Sequence, residues 1–286
     1  MVEWIKTTRK KKNEKLPEKM LGEDDVEKLL DASRNPRDRA LISLMWETGA
    51  RPGEYLDLEV GDIEDRAKGK KVLIEGKTGM RRLPLVSSVP HLNAWLSQHP
   101  ANGDPRAPLW CRLDGHPYKR IDYDYFRKLL REVAERAGVE KPMYPYQFRH
   151  SRATYLANHL TEAQMCEYFG WVQGSDRPAT YVHLSGRDID VTYNKIHGLE
   201  KEEKDEAKLS PIECPRCDEM NDRGAKFCSR CGLPMDSNVA ERLQEDEEIA
   251  EELYTEDAEA EGSIRKLVEK MVERRLKEIL GKDYRP

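Results

Sequence analysis

Apolar positions over the first 200 residues recur at helical spacing, interrupted once by a short alternating stretch. Val26, Leu29 and Leu30 share a face behind Gly22-Glu23-Asp24-Asp25, whose carboxylates favour a helix start. A second helix is expected through RDRALISLMWETG, stopping at Gly49. The segment KKVLIEGKTGMRRLPLV reads instead as two short strands around Gly76-Lys77-Thr78-Gly79. Helical spacing returns at 123–137, 148–160 and 162–170. Ser185 can cap a last short helix through Ile189, Tyr193 and Ile196, closed by Gly198. The pattern predicts a mainly α domain with a small β-sheet over residues 21–200.

The pattern changes on either side of that domain. Residues 1–20 read as a basic, linker-like segment, with six Lys/Arg in the first fifteen positions. Residues 201–212 are a charged linker reaching Pro211, and 213–235 carry two cysteine pairs. Residues 236–262 form an acidic stretch, read either as a solvated linker or as a shield over a basic face. Within 263–286, Ile264, Leu267, Val268, Met271, Val272, Leu276, Ile279 and Leu280 make one stripe of an amphipathic helix. A stripe so isolated needs a second copy or the larger domain to pack on, and its mixed-sign polar face argues against a membrane.

Composition adds two constraints. With 38% hydrophobic and 36% charged residues, the chain contains no run of about 18 apolar residues and no signal-peptide core. A cytoplasmic, reducing location is expected, where six cysteines are not structural disulfides. The net charge of −5 is unevenly spread: residues 236–262 hold twelve acidic groups against Arg242, and 263–286 hold eight basic against four acidic. The remainder, residues 1–235, is mildly basic, so total charge does not argue against a nucleic-acid partner.

The helix beginning near YQFRHSRATYL raises a question of charge. Phe148, Tyr155, Leu156 and Leu160 share one face, yet Arg149, His150 and Arg152 crowd its first turns. Three further stretches carry chemistry: ETGARPGEYL (47–56), GKTGMRRLPL (76–85) and FGWVQGSDRPATYVHL (169–184). Each alone has a bland reading. Arg51 pairs with Glu54, Lys77 solubilises a loop, Arg149 and His150 join an ion-pair network, and Tyr181 is a half-buried aromatic.

Together, in order and spacing, these motifs resemble the tyrosine recombinase (phage-integrase and Xer-type) family over about residues 16–200, with the closest likeness to archaeal integrases. Thr48-Gly49-x-Arg51-x-x-Glu54 resembles the first-arginine motif, Gly76-Lys77-x-Gly79 the hairpin lysine, and Phe148-Arg149-His150 the second-arginine box. Gly170-Trp171, followed ten residues later by Tyr181, is similar to the box that ends in the nucleophile.

The resemblance implies site-specific cleavage and rejoining of double-stranded DNA through a 3′-phosphotyrosyl bond, by a homo-oligomer, as a tetramer on two duplexes. Two arginines would grip the non-bridging oxygens, for which the guanidinium fork suits better than an ammonium. Tyr181 would attack, and Lys77 would protonate the leaving 5′ oxygen. The tyrosyl ester stores the bond energy, so neither ATP nor a catalytic metal is implied. Glu54 and His150 are supporting residues, His150 buttressing the site or touching phosphate. A basic cluster at a helix N-terminus then makes sense as an anion site built into a core helix.

Three departures from the family pattern stand out. Tyr146 occupies the place, three before the second arginine, usually taken by His; a phenol there donates a hydrogen bond but is a poor acid–base group. Trp171 replaces the commoner third-box His, and its indole N–H still donates. An N-terminal core-binding domain is usual, whereas here a linker-like segment leads, as in a chain cut at the linker or a naturally short form. Two other readings stay open: an accessory DNA-binding protein with a decayed site, and a topoisomerase-like strand nicker.

Cys214-Pro-Arg-Cys217 and Cys228-Ser-Arg-Cys231 are two CxxC knuckles. Such a pair closes a tetrahedral four-thiolate site, predicting a small zinc ribbon over 213–235 with structural Zn2+ as its main source of folding energy. Arg216, Arg223, Lys226 and Arg230 make it basic, which fits DNA contact or a protein-contact module alike. Cys111 and Cys166 stand alone and are expected to be packing residues.

Overall fold

The protein is described by a computed structural model covering residues 19–116, 118–184, 193–194, 197 and 208–256. It divides into two units, residues 1–212 and 213–286. The expected helix around Ile189 lies almost wholly outside the described residues. The segment before residue 19 and the stripe beyond 263 lie outside them entirely.

In the first unit, helix α1 (Glu23–Asp31) is followed by α2 (Pro36–Thr48) and α3 (Pro52–Leu56). A three-stranded sheet comes next, β1 (Ile63–Asp65), β2 (Lys70–Gly76) and β3 (Gly79–Leu85). Then come α4 (Val89–Ser97), α5 (Tyr123–Ala137), α6 (Pro145–Leu156), α7 (Glu162–Phe169) and α8 (Arg177–Leu184). The sheet is antiparallel in the order β1-β2-β3. The mainly α expectation holds for the described residues, and α5 spans the expected 123–137.

Helix α2 is the central element. Asn35 caps its start by accepting from the Asp38 backbone N–H at 2.9 Å, Pro36 opens it, and Gly49 ends it in the left-handed region at φ +53°. Trp46, Leu41, Ile42, Leu44 and Met45 are buried, and the helix packs against α1, α4, α6 and β3. Its buried Glu47 caps α4: the carboxylate accepts from the backbone N–H groups of Val86, Ser87 and Ser88 at 2.7, 3.0 and 2.9 Å. That bond set ties the end of the hairpin to the end of α2.

Alternation in β3 buries Arg81, Leu83 and Leu85 while Met80, Arg82 and Pro84 face out. The register sets Arg81 opposite Ile74 and closes the hairpin at Gly76 opposite Gly79. Lys77 and Thr78 form the turn, with Gly79 at φ +105°.

At the start of the second unit, β4 (Ile212–Glu213), which straddles the boundary, pairs with β5 (Met220–Asn221) around the cysteine knuckles, and a helix runs from Ser237 to Glu256. The acidic stretch was expected as linker, so this helix is a difference. Its run of Glu, Ala, Gln and Leu has high helix propensity, and Asp236 accepts from the Val239 N–H at 3.2 Å at its start. Among the described residues no helix is long and apolar enough to cross a membrane.

Candidate active site

Three chain turns meet at one point. Helix α2 delivers Gly49 and Arg51, the β2–β3 turn delivers Thr78, and α7 ends at Gly170. Arg51 precedes α3 as its N-cap, with Pro52 at the first helical position. Its Nη1 donates to Glu54 Oε1 at 2.6 Å and its Nη2 to the Gly170 carbonyl at 3.2 Å. That carbonyl also accepts from Thr78 Oγ at 2.9 Å, so the turn carrying exposed Lys77 lies against the site.

Arg149, only 4% exposed, is held by two helix ends. Its Nη1 donates to the Gly49 carbonyl at 2.9 Å and its Nη2 to the Phe169 carbonyl at 2.8 Å. Both acceptors sit at C-termini, of α2 and α7, where helix dipoles favour a cation. Two of five N–H donors are thereby used, leaving three for an anion. Burial, reinforced by the nearby charges of Arg51 and Arg81, pushes the Arg149 pKa down to about 10. A Cβ on Gly49 would fall 2.8 Å from the Phe169 ring and 3.2 Å from Arg152 Cβ, so that carbonyl depends on glycine twice over.

Arg81 was not singled out by sequence reasoning. Its Nη2 donates to Glu54 Oε2 at 2.7 Å, so one carboxylate is clamped between Arg51 and Arg81. Arg81 Nε and Nη1 are buried with no hydrogen-bond partner. Burial pushes the Glu54 pKa up, but the hydrogen bonds and charges of Arg81 and Arg51 outweigh it and hold the carboxyl below its ordinary value. The signal available in sequence was the period-two phase shared by Arg81, Leu83 and Leu85.

Helix α8 supplies Tyr181. Its ring, 8% exposed, stacks on Trp171 with centroids 5.4 Å apart and planes 8° apart. Trp171 in turn stacks on Phe169 at 4.9 Å. The Tyr181 hydroxyl lies 2.7 Å from His150 Nδ1. Burial raises the Tyr181 pKa, partly offset by Arg149 and Arg177. Tyr146, one turn before His150 on α6, is 44% exposed and its ring is 6.4 Å from the His150 ring. The geometry therefore brings Arg51, Glu54, Arg149, His150, Trp171 and Tyr181 together, and leaves Lys77 and Tyr146 at the solvent edge.

In the second unit, the Sγ atoms of Cys214, Cys217, Cys228 and Cys231 all lie within 4.8 Å of one another. Cys214 to Cys231 is 3.7 Å and Cys217 to Cys228 is 3.6 Å. A tetrahedral zinc with Zn–S near 2.3 Å needs S···S edges of about 3.8 Å, so the cluster fits such an ion. Each knuckle turns through a positive-φ residue just after its second cysteine, Asp218 (φ 57°) and Gly232 (φ 70°). Buried Asn221 donates to Cys228 Sγ at 3.5 Å and accepts from the Ser229 N–H at 2.8 Å, bracing the second knuckle.

A conserved-domain profile described as the phage integrase family matches residues 19–187, more than half of the chain. The chain belongs to that family. Among its relatives, a tyrosine recombinase of Synechocystis sp. (strain ATCC 27184 / PCC 6803 / Kazusa) is 32% identical over 132 residues, covering 43% of this chain and 40% of the relative. Tyrosine recombinase XerC of Vibrio vulnificus (strain YJ016) is 26% identical over 193 residues, covering 65% of this chain and 60% of the relative. The crystal structure of XerA recombinase superposes with a TM-score of 0.50 at 20% identity over 64% of this chain and 63% of that one, which supports the fold. The chain thus spans only part of the length of these relatives.

Proposed function

We propose that this chain cleaves and rejoins double-stranded DNA at specific sites through a 3′-phosphotyrosyl intermediate. The observation that carries the reading is convergence: Arg51 and Arg149, 98 positions apart in sequence, donate to the consecutive carbonyls of Gly170 and Phe169, beside the Trp171–Tyr181 stack. The remaining guanidinium N–H groups of Arg51 and Arg149 bind the non-bridging phosphate oxygens, most strongly as charge builds in the phosphorane. Tyr181 is the nucleophile, and Lys77 gives its proton to the 5′ oxygen when DNA brings the turn down. Glu54 orients Arg51, Trp171 sets the plane of the Tyr181 ring, and Tyr146 reaches phosphate by hydrogen bond. The reaction conserves bond energy in the tyrosyl ester, so the chemistry calls for neither ATP nor a cofactor.

The same reading extends to assembly. Four copies act on two duplexes in the cytoplasm, with residues 185–197 docking into a neighbour. Residues 213–235 hold one structural Zn2+ through Cys214, Cys217, Cys228 and Cys231, and the ribbon's basic residues lie along DNA. Belonging to the phage integrase family and the matching S···S distances support these assignments.

A duplex nicked near the cleavage point, which lets the free strand end diffuse away, tests the reaction. Wild-type protein should accumulate a covalent adduct, and Tyr181→Phe should form none while still binding. An adduct surviving in Tyr181→Phe but lost in Tyr146→Phe would move the nucleophile to Tyr146. Absence of adduct in wild-type protein with DNA bound would favour the decayed-site reading.

A further inference from the structure

We propose that His150 is the general base of this site, accepting the Tyr181 phenolic proton on Nδ1 as the tyrosine attacks phosphorus. The proposal rests on Tyr181 being the nucleophile.

Four observations point to it. The Tyr181 oxygen and His150 Nδ1 are 2.7 Å apart, the distance of a working proton-transfer pair. Their rings are 6.0 Å apart and inclined by 27°, with the Tyr181 face covered on another side by Trp171 at 5.4 Å. A phenol so enclosed is poorly placed to lose its proton to bulk water, and burial raises its pKa further from neutrality. The other polar groups nearby are unsuited: Tyr146 is itself a phenol, the Arg149 guanidinium has no acceptor, and Glu54 is clamped by two arginines.

Helix geometry explains why this residue can serve. Position 146 and position 150 lie one turn apart on the same face of α6, and it is the imidazole at 150 that meets the Tyr181 hydroxyl. His150 follows Arg149 directly, which points the two side chains to different partners: Arg149 to the helix-end carbonyls, His150 to α8.

The step balances as follows. With Nε2 protonated, Nδ1 carries the lone pair that takes the Tyr181 proton, and the ring becomes imidazolium. The phenolate oxygen forms the new P–O bond, the P–O5′ bond breaks, and the 5′ oxygen takes a proton from Lys77. During rejoining the 5′ hydroxyl attacks, Lys77 recovers that proton, and the departing Tyr181 oxygen takes its own back from His150. The imidazolium is present only while the phosphorane carries extra negative charge, so it also stabilises that charge.

The test is single-turnover cleavage of the nicked duplex by the full chain. His150→Ala should bind DNA but cleave about 10²- to 10⁴-fold more slowly. Replacing Tyr181 by a difluorotyrosine, whose phenol ionises more readily, should recover at least about 10-fold of that loss while leaving wild-type cleavage unaccelerated, because an acidic phenol needs its base less. His150→Asn, which keeps an acceptor near Nδ1 but has no basic nitrogen, should stay slow, and it carries the comparison if His150→Ala fails to fold. Wild-type rates in His150→Asn, or no recovery with difluorotyrosine in either variant, overturn the proposal and reduce His150 to a positioning residue. An adduct independent of Tyr181 would overturn the underlying reading instead, and Tyr181→Phe run in parallel separates the two failures.

Discussion

Glu54→Gln is the most informative single change, because one carboxylate balances two arginines. Its side chain is 9% exposed, and its oxygens take Arg51 Nη1 at 2.6 Å and Arg81 Nη2 at 2.7 Å. Arg81 is 7% exposed at its side chain and has no other ionic partner among the described residues, so it bears most of the cost. Stranding one member of a buried pair costs about 3–5 kcal/mol. Arg51, at 28% exposure, adds only the fraction of a kcal/mol typical of a wetter pair. The glutamine oxygen still accepts one N–H and returns about 1 kcal/mol. The expected loss is therefore about 3 kcal/mol, or roughly 6–12 °C in Tm for a domain of this size.

The pH dependence gives the check. The folded pKa of Glu54 is lowered from its usual 4.5, so its contribution is fully present above that value and disappears as pH falls through the folded pKa. Protonated Glu54 resembles glutamine, so the gap between wild type and Glu54→Gln should narrow as pH falls below 4.5. Urea denaturation of both proteins at neutral pH and at about pH 3 measures that gap directly, since every other carboxylate cancels in the difference. A gap below about 0.5 kcal/mol at neutral pH, or one of equal size in acid, would refute the clamp.

Three other outcomes are expected. Gly49→Ala combines a left-handed backbone with a 2.8 Å approach to Phe169, and should cost about 2–4 kcal/mol and slow cleavage by displacing the Arg149 acceptor; thermal melts and adduct kinetics measure both. Purified protein should carry one zinc per chain by mass spectrometry, and chelation should abolish hydrogen-exchange protection in 213–235; protection persisting without metal would contradict the zinc assignment. DNA affinity should fall about 100-fold between roughly 50 and roughly 200 mM salt if about four phosphates are neutralised, and binding indifferent to salt would mean that the basic groups are not on DNA.

What was legible in the sequence depended on how local the determinants were. Gly49 is backbone punctuation, and it places Arg51 just past the end of α2. The helix expected over 148–160 begins instead at Pro145, so Arg149 sits in its second turn and not among the free N–H groups of a helix start. The Gly76-to-Gly79 turn was similarly readable, because a two-residue connection between alternating runs has few conformations. Helices α3, α4 and α8 and strand β1 were missed: the helices are short and carry Pro at their first or second position, and β1 has only three residues, so none shows a full period. Arg81 was missed for a different reason. A charged residue in a strand defaults to solvent, and only the Glu54 clamp, 27 positions away, makes its burial sensible. The His150–Tyr181 bond depends on how α8 packs against α6, which no spacing rule reports.

The site also explains why so much positive charge is tolerated in a core. Three guanidinium groups, Arg51, Arg81 and Arg149, face a single carboxylate, Glu54. Arg149 alone is held from an ordinary pKa of 12.5 down to about 10, a cost on the order of 3 kcal/mol at neutral pH, where it stays charged. The carbonyls of Gly49 and Phe169 return part of that cost through bonds to the cation. They cannot return all of it, since two dipoles do not carry a full negative charge. A bound phosphate does, and a phosphorane does so more strongly. In the proposed reaction, the unfavourable charge of the site would thus be converted into affinity that grows along the reaction coordinate, which is the condition for rate enhancement over mere binding. On that reading, a second carboxylate beside Arg149 would make the fold more stable and the proposed cleavage slower. The single Glu54, bonded to Arg51 and Arg81 but not to Arg149, leaves the most buried cation for the substrate.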